Sequence, residues 1–155
     1  MFDSIANWLL WNLGVAFELH TERIIKLQKR AARMILKCNL FTPSKEVFHR
    51  LKWLPFNHRV MYFKCVFMFK RLNRLSSNFY SDTFLLASST HNYHTRYAAN
   101  INLAIPTVRT EYFKHSLHYS SILLWNSLPI DIKLSQSLDI FKRKLKAHLF
   151  KCHVS

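Results

Sequence analysis

Five cations stand at helical intervals near the start of the chain: Arg23, Lys26, Arg30, Arg33 and Lys37, stepping by 3, 4, 3 and 4. Side chains at those steps share one face of an α-helix. At 1.5 Å of rise per residue the stripe is about 21 Å long, the scale over which a nucleic-acid backbone presents a row of phosphates. Only Glu22 lies beside it, at the N-terminal end where a helix dipole favours an anion. Like charges at this spacing repel by ~0.2–0.5 kcal/mol a pair, so the stripe is either a solvated face or one that meets an anion. A second basic set, Lys142, Arg143, Lys144 and Lys146, falls near the other end of the chain. Aromatic residues interleave with cations at Tyr93-His94-Thr95-Arg96-Tyr97, where Arg96 and Tyr97 are candidates for loop contacts. A cation there holds phosphate while an exposed ring stacks on an unpaired base. Most other Phe and Trp residues are assigned to the core, since ~150–250 Å² of ring is costly to leave wet.

Other chemistry is sparse. The acids Asp3, Glu18, Glu22, Glu46, Asp82, Glu111, Asp131 and Asp139 are scattered, so no local carboxylate pair could hold two metal ions for phosphoryl transfer. No Ser or Cys sits in a nucleophile motif, and the chain is expected not to be an enzyme. Gly14 is the only glycine, which excludes glycine-rich phosphate loops and dinucleotide fingerprints, and no cofactor is expected. His148 and Cys152, His115 and His118, and His91 and His94 have ligand-like spacing, but no Cys pair accompanies them and no metal site is predicted.

The totals favour the anionic partner. Lys and Arg number 23 against 8 Asp and Glu, a formal net charge of +15 in 155 residues. A folded domain this basic has a polyanion as its expected partner, with nucleic acid first and an anionic membrane surface second. Half the residues are hydrophobic and 15% aromatic, enough for a core and unlike a disordered tail. The three cysteines, Cys38, Cys65 and Cys152, are widely spaced and odd in number, which predicts a reducing, intracellular setting without a disulfide framework. The apolar run from Ile5 to Phe17 is short and broken by Asn7, Asn12 and Gly14, so no stable membrane insertion is expected.

These residues must be carried by helices. The patterning predicts a mainly α, single domain of five or six helices over residues 1–155, with an apolar lead-in at 1–17 and a long loop at 87–110. At most a short extended segment is expected around 100–106, where Ile101, Leu103 and Ile105 alternate with smaller or polar residues. The basic helix spans Glu22 to about Cys38, with Ile24, Leu27, Ala31, Met34 or Ile35, and Cys38 expected on its buried face. Thr42 and Pro43 open a short helix whose buried face is Val47, Phe48 and Leu51. A helix over 58–74, apolar nearly all round, has Val60, Phe63, Phe67 and Met68 in the core. A short helix is expected from Phe79 to Leu86, a helix from Glu111 to Trp125, and a last helix capped by Ser137 with Leu138, Phe141, Leu145 and Leu149 as its apolar stripe.

Five stretches in order resemble the C-terminal, post-polymerase region of reverse transcriptases from jockey-like retrotransposons that lack long terminal repeats. They are Leu27-Gln28-Lys29-Arg30-Ala31-Ala32-Arg33, Leu51-Lys52-Trp53-Leu54-Pro55, His94-Thr95-Arg96, Leu124-Trp125-Asn126-Ser127-Leu128-Pro129, and Phe141-Lys142 with Lys144-Leu145-Lys146. The resemblance runs from about Trp8 to Phe150. It implies a segment lying after the fingers, palm and thumb, without the family's catalytic Asp-Asp pair, endonuclease or cysteine-rich knuckle. The resemblance implies a detached piece or a degenerate remnant of an RNA-directed DNA polymerase, whose partners are template RNA or target DNA and, in an intact element, the upstream polymerase domains. The alternative within the same kinship is a structural module that braces the thumb and has no autonomous activity.

Overall fold

The first basic stretch folds as α1, Ala16–Leu36, a turn and a half longer at its N-terminal side than the charge pattern alone marks. The computed structural model describes residues 16–75, 84–90, 100–114 and 116–154. After α1 come α2 (Ser44–Leu51), α3 (Phe56–Leu72), α4 (Ala87–Thr90), α5 (Glu111–Lys114), α6 (Leu117–Ser127), α7 (Ile130–Lys133) and α8 (Leu138–Val154). Helices of eight residues or more are therefore five among the described residues, and the fold is mainly α. No strand occurs among them, only one antiparallel bridge between Leu86 and Leu103.

Helix ends are made without glycine. The left-handed residues that close α1, α2 and α3 are Lys37, Lys52 and Arg74, at φ 49°, 52° and 55°; the first two directly follow their helices and Arg74 stands two residues past Leu72. In all three the next N–H reaches back five residues: Cys38 to the Arg33 carbonyl at 3.1 Å, Trp53 to Phe48 at 2.9 Å, Leu75 to Lys70 at 2.8 Å. This is the Schellman closure, which satisfies carbonyls left open by the last turn. A side chain with a Cβ pays steric energy there that glycine would not, while a cation is favoured beside the negative end of the helix dipole. Lys52→Gly is expected to raise stability by about 1 kcal/mol, or about 2–4 °C in thermal midpoint, measured by circular dichroism melting.

The chain divides into two units, Met1–Tyr62 with Lys146–Ser155, and Phe63–Leu145. Within the first, Ala32 on α1 is fully buried against Val47 and Phe48 of α2, with Leu36, Leu51 and Trp53 partly buried around them. This corrects the phase expected for α1. Ile24, Leu27, Met34 and Ile35 are exposed, and the inward face is Ile25, Gln28, Ala32 and Leu36, turned by about one residue, or about 100°. The reason is close approach: an alanine lets the α2 backbone come near, where the longer aliphatic side chains would hold it off.

In the second unit the buried set includes Cys65, Met68, Phe69, Leu103, Ile122, Trp125, Ile132, Phe141 and Leu145. Phe69 stacks on Phe141 with ring centroids 4.2 Å apart, and Trp125 stacks on the same ring at 6.1 Å. Of the four α3 residues expected inside, only Met68 is buried; Val60, Phe63 and Phe67 are half-buried, and Cys65, Val66 and Phe69 are buried in their place. An apolar pattern all round a helix carries no phase, so periodicity could not choose its innermost side. The expected helix from Glu111 to Trp125 is interrupted, because Ser116 takes an extended conformation and its side chain accepts the Tyr119 N–H at 3.2 Å, starting α6 afresh. The expected loop at 87–110 is helical at its start, in α4. Ser137 caps α8 as expected, its hydroxyl accepting the Ile140 N–H at 3.3 Å.

The extended segment at 101–104 is held from both sides. Ala87 N–H donates to the Asn102 carbonyl at 2.8 Å, and Ala104 N–H to that of Leu85 at 2.9 Å. The N–H and C=O of Leu103 point the other way, where a further strand would pair. The Asn126 side-chain amide takes that place, accepting from Leu103 N–H at 2.8 Å and donating to its carbonyl at 2.9 Å. Trp125 Nε1 donates to the Ile101 carbonyl at 3.0 Å. Lys133 Nζ donates to Asn102 Oδ1 at 2.7 Å and to the carbonyls of Asn126 and Asn100 at 3.3 and 3.4 Å. Burial holds Lys133 below the ordinary lysine range. The Trp125 to Pro129 stretch is thus explained by architecture: two side chains that grip a loop, a buried Leu128, and a proline that starts α7.

Candidate nucleic-acid interface

Arg23, Lys26, Leu27, Lys29, Arg30 and Arg33 line an open groove of about 570 Å³ along α1. Four of the five cations predicted on this helix therefore meet there. At about 100° per residue, Arg23, Lys26, Arg30, Arg33 and Lys37 fall within an arc of about 80°. Lys37 is exposed but lies past the helix end in its left-handed position, outside the groove lining. Lys29 is the cation that stepping by three and four from Arg23 passes over. It stands i,i+4 from Arg33 on the edge of the same arc, and a helical wheel places it there.

The resembling stretch from Leu27 to Arg33, which holds Lys29, Arg30 and Arg33, divides its labour by face. Gln28 points inward: its Nε2 donates to the Leu54 carbonyl at 3.0 Å and its Oε1 accepts the Phe56 N–H at 2.9 Å. One amide thereby fastens α1 to the Trp53-Leu54-Pro55 turn and to the first N–H of α3. Arg33 Nη2 and Nε donate to the Thr42 carbonyl at 3.0 and 3.3 Å, clasping the loop between α1 and α2. Arg23, Lys26, Lys29 and Arg30 have no ion-pair or hydrogen-bond partner among the described residues. The inward amide and the clasp fix the roll of α1, and the roll turns these cations outward. Gln28→Glu is expected to cost about 1–3 kcal/mol, since it sets an oxygen against the Leu54 carbonyl, while Gln28→Met costs less; chemical denaturation measures both.

The second basic set is arranged differently. Lys142, Arg143, Lys144 and Lys146 span about 200° around α8, and so form no single stripe. Lys142 lies 4.0 Å from Asp139, Lys144 Nζ donates to the Asp131 carbonyl at 2.9 Å, and Lys146 Nζ stands 5.9 Å from the centroid of the Phe150 ring. Arg143 is exposed, with no such partner among the described residues. Arg96 and Tyr97 lie outside the described residues.

Among the described residues no three His, Cys, Asp or Glu side chains converge to hold a metal ion. Lys64 Nζ donates to Ser120 Oγ at 2.8 Å, and burial lowers its proton affinity. The Ser120 hydroxyl in turn donates to the Ser116 carbonyl at 2.7 Å, which makes the pair a packing contact between α3 and α6. No described helix is long and apolar enough to cross a membrane. Comparison with protein-family models, curated proteins and solved structures found no match to the chain.

Proposed function

We propose that the chain is a non-catalytic, basic helical domain that binds the phosphate backbone of RNA or DNA along α1. One observation carries this reading: cations crowd onto one groove, and Arg23, Lys26, Lys29 and Arg30 have no counter-charge among the described residues. Each lies three or four residues from another, an arrangement that costs energy until an anion arrives. Arg33 contributes from the same groove while tied to Thr42, which pre-orders its guanidinium. The resemblance of the five sequence stretches to the post-polymerase region of retrotransposon reverse transcriptases supplies the kind of polyanion, a template RNA or a target DNA. On this reading the resembling residues Gln28, Ala32, Trp125 and Asn126 build the scaffold, and the cations of the α1 groove make the contact.

The test is the salt dependence of binding to single-stranded RNA and duplex DNA by fluorescence anisotropy. With about five phosphates engaged, the logarithm of affinity is expected to fall against the logarithm of salt with a slope near −3.5 for single strands and −4.5 for duplex. An affinity that does not change with salt removes phosphate contact from the account.

A further inference from the structure

We infer that the outer face of α1 also docks an acidic amphipathic helix from another polypeptide. Ile24, Leu27, Ala31, Met34 and Cys38 follow steps of 3, 4, 3 and 4, the a and d spacing of a helix-pairing seam. That pattern ordinarily marks the face a helix buries in its own fold. Here Leu27 is 63% exposed, Met34 72% and the adjoining Ile35 56%, because the fold packs α1 through Ala32 instead. Arg23, Arg30 and Lys37 each directly precede an a position. These are the g positions of the heptad, where paired helices carry the charges that select a partner. Their side chains have no ion pair or hydrogen bond among the described residues. An occupant that satisfies both stripes has an apolar seam and carboxylates along one flank.

Other occupants fit less of this face. Nucleic acid accounts for the cations but leaves Leu27, Met34 and Ile35 wet, since aliphatic side chains offer no ring on which bases stack. A bilayer surface calls for an apolar stripe with polar residues along both edges. The stripe on α1 has cations along one edge only, and its other edge runs into Gln28 and Ala32, which are engaged within the first unit. A second copy set antiparallel would bring basic flank against basic flank. Set parallel, it would leave the g cations facing Gln28 and Ile35, and a net charge of +15 on each chain opposes either pairing.

The probe is a dye-labelled peptide of about three heptads with Leu at a and d and Glu at e and g. It is titrated with the full chain by anisotropy, beside a scrambled peptide of equal composition and a version with Lys for Glu. The acidic helix is expected to bind at least about tenfold tighter than the scramble. Met34→Ser with Ile35→Ser is expected to remove that margin, with the thermal midpoint and RNA affinity unchanged. Arg23→Glu with Arg30→Glu, two exposed positions that carry no packing, is expected to shift preference to the Lys peptide. Equal binding of the scramble overturns the inference, because charge alone then accounts for it. So does binding to phosphatidylserine vesicles that depends on Met34 and Ile35 where the peptide shows none. Loss of RNA binding in the Glu variant, with the peptide preference still reversed, separates this inference from the phosphate reading.

Discussion

Replacing Arg23, Lys26 and Arg30 together by Glu is expected to abolish salt-sensitive nucleic-acid binding while the chain stays folded. The three side chains are exposed and make no contact that the fold uses, so circular dichroism and the thermal midpoint should hold or improve slightly as i,i+3 and i,i+4 repulsion is relieved. Binding changes on a different scale. With five phosphate contacts, raising salt fourfold from 50 to 200 mM weakens affinity about 100- to 500-fold, and each lost contact removes about 0.7–0.9 from the slope. Removing three leaves a slope no steeper than about −1.5 to −2, before the new carboxylates add repulsion. The informative comparison is Lys142→Glu with Arg143→Glu and Lys144→Glu. It changes the net charge by the same amount, so a purely global charge effect would weaken binding equally. The groove reading predicts a much smaller loss there, because those cations spread around α8 and two of them already bind the chain's own Asp139 and Asp131 carbonyl. Equal losses in the two triple variants would replace a site with a uniformly basic surface.

The helical character of the chain and the cation stripe were legible because both depend on local spacing. Scarce glycine, Ser137 before a Phe141, Leu145, Leu149 stripe, and five cations within a narrow arc are statements about neighbours, and the helix settles them alone. Which face turned inward was not local. On α1 two faces competed, one lined with large aliphatic residues and one built around Ala32 and Gln28. The second won because tertiary contacts decided it: close approach of Val47 and Phe48, and an amide that satisfies two backbone groups in the Leu54–Phe56 turn. Hydropathy counts the first face as better, since it credits apolar area and gives no weight to hydrogen-bond geometry. Lys133 was missed for a related reason. A lysine in a polar-looking stretch reads as surface, and only the folded loop places three oxygen acceptors within reach of its ammonium.

The second large effect concerns that loop. Trp125→Ala is expected to unfold the second unit or bring it to the edge of unfolding, with a loss of about 3–5 kcal/mol measured by chemical denaturation. Trp125 is 2% exposed and stacks against Phe141, so truncation opens a cavity beside a ring that also stacks on Phe69. The same change strips the Ile101 carbonyl of its indole donor. Ile101 is β-branched and held at φ 53°, a conformation costly enough that the surroundings must enforce it. Once that donor is gone, the strain favours release of residues 101–103 from Asn126 and Lys133. Trp125→Phe separates the two contributions: it keeps most of the ring and loses only the N–H. Its expected cost is about 1–2 kcal/mol, and Ile101→Gly in that background should recover part of it by removing the strain. Should Trp125→Phe prove as damaging as Trp125→Ala, the N–H to Ile101 would outweigh the ring stack. Should Ile101→Gly recover nothing, the left-handed residue would carry no strain that the indole was needed to hold.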